Sequence, residues 1–207
     1  GVSEVFESCW ADVHYPYLER VVDSQQTTDN RQQTMDLTID ANAEAWIRGE
    51  YDSFCNTHDK EILSQVLNNY DQETTDFYRW TVEYTTEQLS ELVARRSGID
   101  FGTITALEPV ERGTSGRLTR LRIVGTKRTM IVGKELEIRR WLSESHLYSS
   151  AFVVDKTDAG FRLIGAGWGH GVGLCQIGAA VMGAKGYKYD EILYHYFVDS
   201  QLNVLYE

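Results

Sequence analysis

Proline and cysteine are scarce, with two prolines and three cysteines in 207 residues. The thiols at Cys9, Cys55 and Cys175 are too few and too scattered for a disulfide scaffold, and an odd number cannot pair completely within one chain. No run approaches the roughly 18–20 apolar residues of a membrane span, and none has the form of a signal peptide. Because the chain opens on Gly1-Val2-Ser3, a targeting segment removed upstream remains compatible with it. Basic residues are also in deficit, with 20 Lys and Arg against 31 Asp and Glu, a net charge of −11. A generic duplex nucleic-acid binder needs a basic face to neutralise phosphates, so that class is excluded, whereas a neutral polymer such as a glycan is not. The chain has no internal repeat, no low-complexity tract, no P-loop and no dinucleotide fingerprint. Asp/Glu pairs are frequent, as they must be in so acidic a chain, but none stands out as an acid–base dyad for glycoside chemistry.

What is present is an ordinary globular composition: 42% hydrophobic, 12% aromatic and 25% charged residues. That suffices for one large domain, or one domain carrying an insertion. Residues 1–23 read as loop with a short element. The polar stretch 24–42 reads as a surface excursion with one strand at 36–39. A short helix follows at 43–49, then a second with Asn56 or Thr57 at its cap and apolar spacing at Ile62, Leu63, Val66 and Leu67. "DFYRWTVEYT" alternates as a strand does. "TTEQLSELVARRSGI" has a Thr cap, a stripe at Leu89, Leu92 and Val93, and a terminating Gly98. Strands at 103–112, 117–125 and 129–132 precede a helix in "GKELEIRRWLSES" and a hairpin turning at Asp158–Gly160. Helices at 176–186 and 189–197 and a short strand at 202–206 complete an α+β chain, with an antiparallel or mixed sheet and packed helices. The pairs Arg95-Arg96 and Arg139-Arg140 read as solvated helix faces.

The densest feature is "GAGWGHGVGLCQIGAA", beginning at Gly165, where every second residue through Gly173 is glycine. Glycine inside a regular element costs roughly 0.5–1 kcal/mol relative to alanine, so such a run needs a reason. If extended, it places Ala166, Trp168, His170, Val172 and Leu174 on one side and a bare face on the other, open to another backbone or a flat ligand. A helix beginning near 174–176 then aims backbone N–H groups at that site. A packing device around a hydrogen-bonded core histidine explains the run equally well. Cys175 as a nucleophile would need His170 or His195 as its base. Cys55-x-x-His58, with Cys9, offers the beginnings of a zinc site but lacks a fourth ligand.

The residues Gly165 to Phe197, "GAGWGHGVGLCQIGAAVMGAKGYKYDEILYHYF", resemble the C-terminal signature of the stage II sporulation protein D family, which includes the amidase enhancers. That signature is similar to G-x-G-W-G-H-G-V-G-M-S-Q-Y-G-A followed by a small-residue helix and G-x-[ST]-Y-x-E-I-L-x-H-Y-Y. The matches are residues 167–179, Gly186, Tyr189, 191–193, His195 and Tyr196. Cys175 stands where the family usually has Ser, and Ile177 where it usually has Tyr. Upstream, residues 116–154 resemble the family's strand–strand–helix segment, closing on Tyr148-Ser149-Ser150-Ala151-Phe152. Residues 1–23 resemble the stretch from Cys-Gly-Gly through Trp to Pro-Tyr-Leu. Residues from about 25 to 99 are less typical and read as an elaboration.

The resemblance implies work on peptidoglycan. Sporulation-type members are lytic transglycosylases in which one carboxylic acid protonates the glycosidic oxygen and then, as a base, assists the muramyl 6-hydroxyl to form a 1,6-anhydro end. The family's acid precedes a helix that nothing here matches. Residues 1–207 are therefore expected to form the C-terminal part of such a domain, inactive by itself, with the acid upstream of Gly1. A non-catalytic glycan-binding or amidase-stimulating module is the alternative, and a cysteine hydrolase using Cys175 a further one. The expected glycan contacts are Trp168, Gly169, His170 and Gln176, with Ser149 and Tyr148 beside them. Implied partners are glycan strands and a cell-wall amidase, the implied location is extracytoplasmic, and no cofactor is implied.

Overall fold

The computed structural model describes residues 1–24, 35–66 and 76–205. It is an α+β protein built on two three-stranded antiparallel sheets. The first holds β1 (Arg79–Thr85), β6 (Gly160–Ala166) and β5 (Phe152–Lys156), with β6 central. The second holds β2 (Ile104–Arg112), β3 (Leu118–Gly125) and β4 (Thr129–Val132) in that order.

Local chemistry accounts for the best-defined elements. Helix α4 (Thr86–Ser97) starts where Thr85 Oγ1 accepts the Gln88 N–H (3.2 Å) and Gln88 Oε1 accepts the Thr85 N–H (2.9 Å). This reciprocal pair satisfies two donors that a helix start leaves orphaned. The helix stops at Gly98, whose φ of 73° few other residues tolerate. Its buried stripe, Leu89, Leu92 and Val93, is the one its spacing predicts.

Trp80 of β1 and Phe152 of β5 both pair with Gly165 of β6. A Cβ at Gly165 would overlap the Trp80 indole, so glycine lets that ring lie across the central strand. The main core gathers Trp80, Leu89, Phe101, Leu121, Ile138 of α5 (Glu135–Trp141) and Phe161 from both sheets and both helices. Each such side chain contributes about 1.5–3 kcal/mol by burial. Since β1 and α4 lie within residues 25–99, that stretch supplies part of the core itself.

The described residues also form α1 (Phe6–Cys9), α2 (Asp40–Arg48), α3 (Lys60–Val66) and α6 (Gln176–Ala184), with α7 (Tyr189–Tyr196) packed on α6. Three sequence expectations are corrected. Residues 36–39 turn instead of forming a strand, because Asp36 Oδ1 accepts both the Thr38 N–H (3.0 Å) and its hydroxyl (2.7 Å), the local competition that favours turns. Helix α3 is capped by Asp59, whose Oδ1 accepts the Glu61 N–H at 2.9 Å, and not by Asn56 or Thr57; Leu67 lies outside the described residues. Residues 202–205 pair with no described strand, and Tyr206 lies outside the described residues. No helix is long and apolar enough to cross a membrane among the described residues.

Candidate functional site

Strand β6 ends at Ala166, and the glycine run beyond it is not extended. Gly167, Gly169, Gly171 and Gly173 have φ values of 73°, 74°, 82° and 75°. Each sits in the left-handed region, where an L side chain costs roughly 1–2 kcal/mol. The backbone path therefore explains the alternating glycines; a bare sheet face does not.

This ribbon is held from several directions. Trp80 Nε1 donates to Gly167 O (3.0 Å), Gly167 N to Tyr78 O (3.0 Å), Gly169 N to Tyr148 O (2.7 Å) and Glu4 N to Gly171 O (2.9 Å). The buried Arg117 guanidinium lies against it, with Nε 3.3 Å from Gly169 O and Nη1 2.9 Å from Ser115 Oγ. A Cβ at Gly171 would overlap that guanidinium.

The ribbon walls a cavity of about 520 Å³. Trp168, Gly169, His170 and Gln176 all line it. The Trp168 ring stacks on Tyr148 (centroids 4.7 Å, 30° between planes) and meets Phe77 at 4.7 Å, so it is a braced wall. Tyr148 stands behind Trp168 and does not line the cavity. Ser149 is fully buried: its hydroxyl donates to Ala166 O (2.7 Å) and accepts from Ala151 N (3.2 Å). Both capacities serve the backbone, which withdraws Ser149 from the contact set.

His170 is exposed, with its ring edge-on to Trp10 at 4.6 Å. Its Nδ1 accepts the Val172 N–H (3.0 Å), which puts the proton of the neutral ring on Nε2. Partial desolvation, then the charges of Arg117 and Arg139, push its pKa down, so the ring is neutral at neutral pH. Gln176 opens α6 and is exposed. Arg79 also lines the cavity, but its guanidinium donates to the carbonyls of Gly49, Trp46 and Tyr78. The walls therefore combine aromatic surface, the neutral groups of His170 and Gln176, and the guanidiniums of Arg79 and Arg117, which are engaged with protein oxygens.

Sequence reasoning missed a second group at this cavity. Asp23, Cys55 and Cys175 converge on it, with ligand atoms all within 4.8 Å of one another. Asp23 Oδ1 accepts the Tyr196 hydroxyl (2.8 Å) and lies 3.4 Å from His195 Nε2. Its Oδ2 accepts from Ser53 Oγ (3.0 Å) and Cys55 N (3.2 Å). The backbone nitrogen of Gly1 contacts Ser53 Oγ and lies 3.2 Å from Cys55 Sγ. Burial raises the Asp23 pKa, while the hydrogen bonds from His195 and Tyr196 lower it. Burial and the Asp23 charge push the Tyr196 phenol far up, which keeps it a donor.

Cys175 is the N-cap of α6, its Sγ accepting the Gly178 N–H at 3.4 Å. Its hydrogen bond to Cys55, then burial, raise its pKa, and the same bond lowers Cys55 to about 6. Cys9 is elsewhere, buried with Sγ 3.5 Å from His170 O, and His58 is exposed. Neither belongs to the cluster, so the Cys9–Cys55–His58 grouping does not form. No sequence signal links Asp23 to partners 32 and 152 residues away.

Fold and site together define an α+β protein with a glycine-ribbon cavity. The chain belongs to the family described as Domain of unknown function (DUF8618), which matches residues 4–173 and so includes Asp23, Cys55 and the ribbon. No curated protein matches the sequence.

Proposed function

We propose that this chain binds peptidoglycan glycan strands in the ribbon cavity, as the binding part of a lytic-transglycosylase type of strand processing outside the cytoplasm. The observation that carries the reading is the cavity wall. A volume of about 520 Å³ falls within the range of sites for small organic ligands. Its polar groups at the mouth, His170 Nε2 and the Gln176 amide, are neutral and suit hydroxyl and N-acetyl groups. The resemblance of residues 165–197 to the stage II sporulation protein D signature adds the substrate class.

The electrostatics of the cavity carboxylate support a binding role for these residues. A general acid must have a proton free to give, and Asp23, the carboxylate lining the cavity among the described residues, has both oxygens taken up by hydrogen bonds from Tyr196 Oη, Ser53 Oγ and Cys55 N. Glu135 has a raised pKa but is buried away from the cavity. Protonation of a glycosidic oxygen is accordingly assigned to a group outside this set.

Calorimetric titration with peptide-free glycan strands tests the reading. Saturable binding that His170→Ala and Gln176→Ala each weaken about tenfold supports it. Absence of binding at millimolar sugar, or affinity unchanged in both variants, overturns it.

A further inference from the structure

We propose that Asp23, Cys55 and Cys175 form a zinc site at the cavity, independent of whether glycan binds there. The three come from separate parts of the chain: Asp23 follows the bridge residue Val22, Cys55 precedes α3, and Cys175 caps α6. Their ligand atoms nevertheless lie within 4.8 Å of one another, and both thiols are free of disulfide. With Zn–S near 2.3 Å, the edge of a tetrahedral site is about 3.8 Å. A metal therefore needs to draw the three atoms together by about 1 Å at most, which side-chain rotation supplies.

The donor set selects the metal. Two thiolates and one carboxylate suit zinc and disfavour magnesium or calcium, which take all-oxygen shells. An outer shell is already in place. The Asp23 carboxylate is oriented by Tyr196 Oη, Ser53 Oγ and Cys55 N. The Cys175 sulfur accepts the Gly178 N–H. Ligating carboxylates are normally supported by such hydrogen bonds. All three side chains line the cavity, so a fourth ligand would come from it, as water or substrate. Three protein ligands and one open position are the pattern of reactive zinc sites, whereas structural ones close with four.

The test is metal binding by the intact chain. After metal removal, Zn²⁺ is titrated against a chromophoric chelator and Co²⁺ is added as a spectroscopic reporter. One equivalent per chain is expected, with a thiolate-to-cobalt charge-transfer band. Cys55→Ser and Cys175→Ser should each weaken zinc by more than the 10–100-fold typical of outer-shell losses. Cys9→Ser and His58→Ala should leave it unchanged. In case the cysteine variants do not fold, the unmutated chain carries a second measurement. Under native conditions, zinc should protect Cys55 and Cys175 from alkylation, and sites are read by mass spectrometry. Stoichiometry near zero, a cobalt spectrum without sulfur ligation, undiminished labelling of both thiols, or a Cys55–Cys175 disulfide in chain isolated without reductant each overturns the proposal.

Discussion

The Glu4 carboxylate is fully buried and bonds to Ser115, 111 residues away, through both the N–H (3.1 Å) and the hydroxyl (2.7 Å). Its other oxygen accepts from Thr114 N (3.1 Å), Thr114 Oγ1 (2.9 Å) and Val5 N (3.0 Å). The Glu4 backbone N–H meanwhile holds Gly171. One residue thus ties the turn between β2 and β3 to the glycine ribbon, and Arg117, just beyond that turn, reaches the ribbon as well.

Removing this tie should loosen the cavity wall. Glu4→Ala strands buried donors of Thr114 and Ser115, and hydrogen bonds to charged groups contribute about 1.5–3 kcal/mol. A loss of at least about 3 kcal/mol is expected by denaturant titration. Hydrogen exchange should rise at Gly169 and Gly171 before it rises in α4. Uniform exchange across both regions would mean that Glu4 serves general stability only.

The ribbon glycines should not be equivalent. Gly169→Ala meets nothing within 4 Å and suffers only the left-handed backbone cost of roughly 1–2 kcal/mol. Gly171→Ala carries that cost and also displaces the Arg117 guanidinium. Thermal melts should place Gly171→Ala clearly below Gly169→Ala. Equal melting points would refute the left-handed path with Arg117 packed against it.

Glu135 gives the pH dependence a sign. Burial raises its carboxyl above the ordinary 4.5, against the pull of Arg139 and Arg117. Among the described residues neither of its oxygens has a well-formed hydrogen bond, although Arg139 Nη1 stands 3.4 Å away. Below the unfolded value both states are protonated, and this contribution is fully present. Between the unfolded and the raised folded values, the native state keeps a proton that the unfolded state releases, so the contribution is lost as pH rises. Glu135→Gln should therefore gain stability relative to the unaltered chain from pH 4 to pH 7.5. A flat difference across that range would contradict the buried-acid assignment.

What could be read in advance follows from how far each feature reaches along the chain. Helix α4 was legible because its cap, stripe and terminating glycine lie within about a dozen residues. The ribbon was legible as a motif but not as a conformation, since alternate glycines look the same whether they bare a sheet face or permit left-handed turns. Trp168, His170 and Gln176 reach one cavity wall because the motif carries them close together in sequence. Ser149 misled because a hydroxyl serving Ala166 O and Ala151 N looks no different in one dimension from one facing a ligand. Asp23, Cys55 and Cys175 were unreadable as a group, for nothing local relates three positions that only the tertiary fold brings together.

The packing of α6 on α7 yields the sharpest energetic test. A Cβ at Gly178 would overlap the Tyr196 hydroxyl and lie 3.1–3.2 Å from the Asp23 carboxylate oxygens. In an unstrained helix interior, Gly→Ala gains about 1 kcal/mol from propensity. Here Gly178→Ala should destabilise, because the hydroxyl it displaces is the one bonded to Asp23. Tyr196→Phe removes that hydroxyl and should cost about 1.5–3 kcal/mol, the range for a bond to a charged group. With the oxygen gone, the added methyl has room beside the phenyl ring. The double variant should therefore be more stable than the sum of the two single losses, by at least about 1 kcal/mol. Additive losses in a denaturant-based double-mutant cycle would show that Gly178 is not glycine on account of Tyr196.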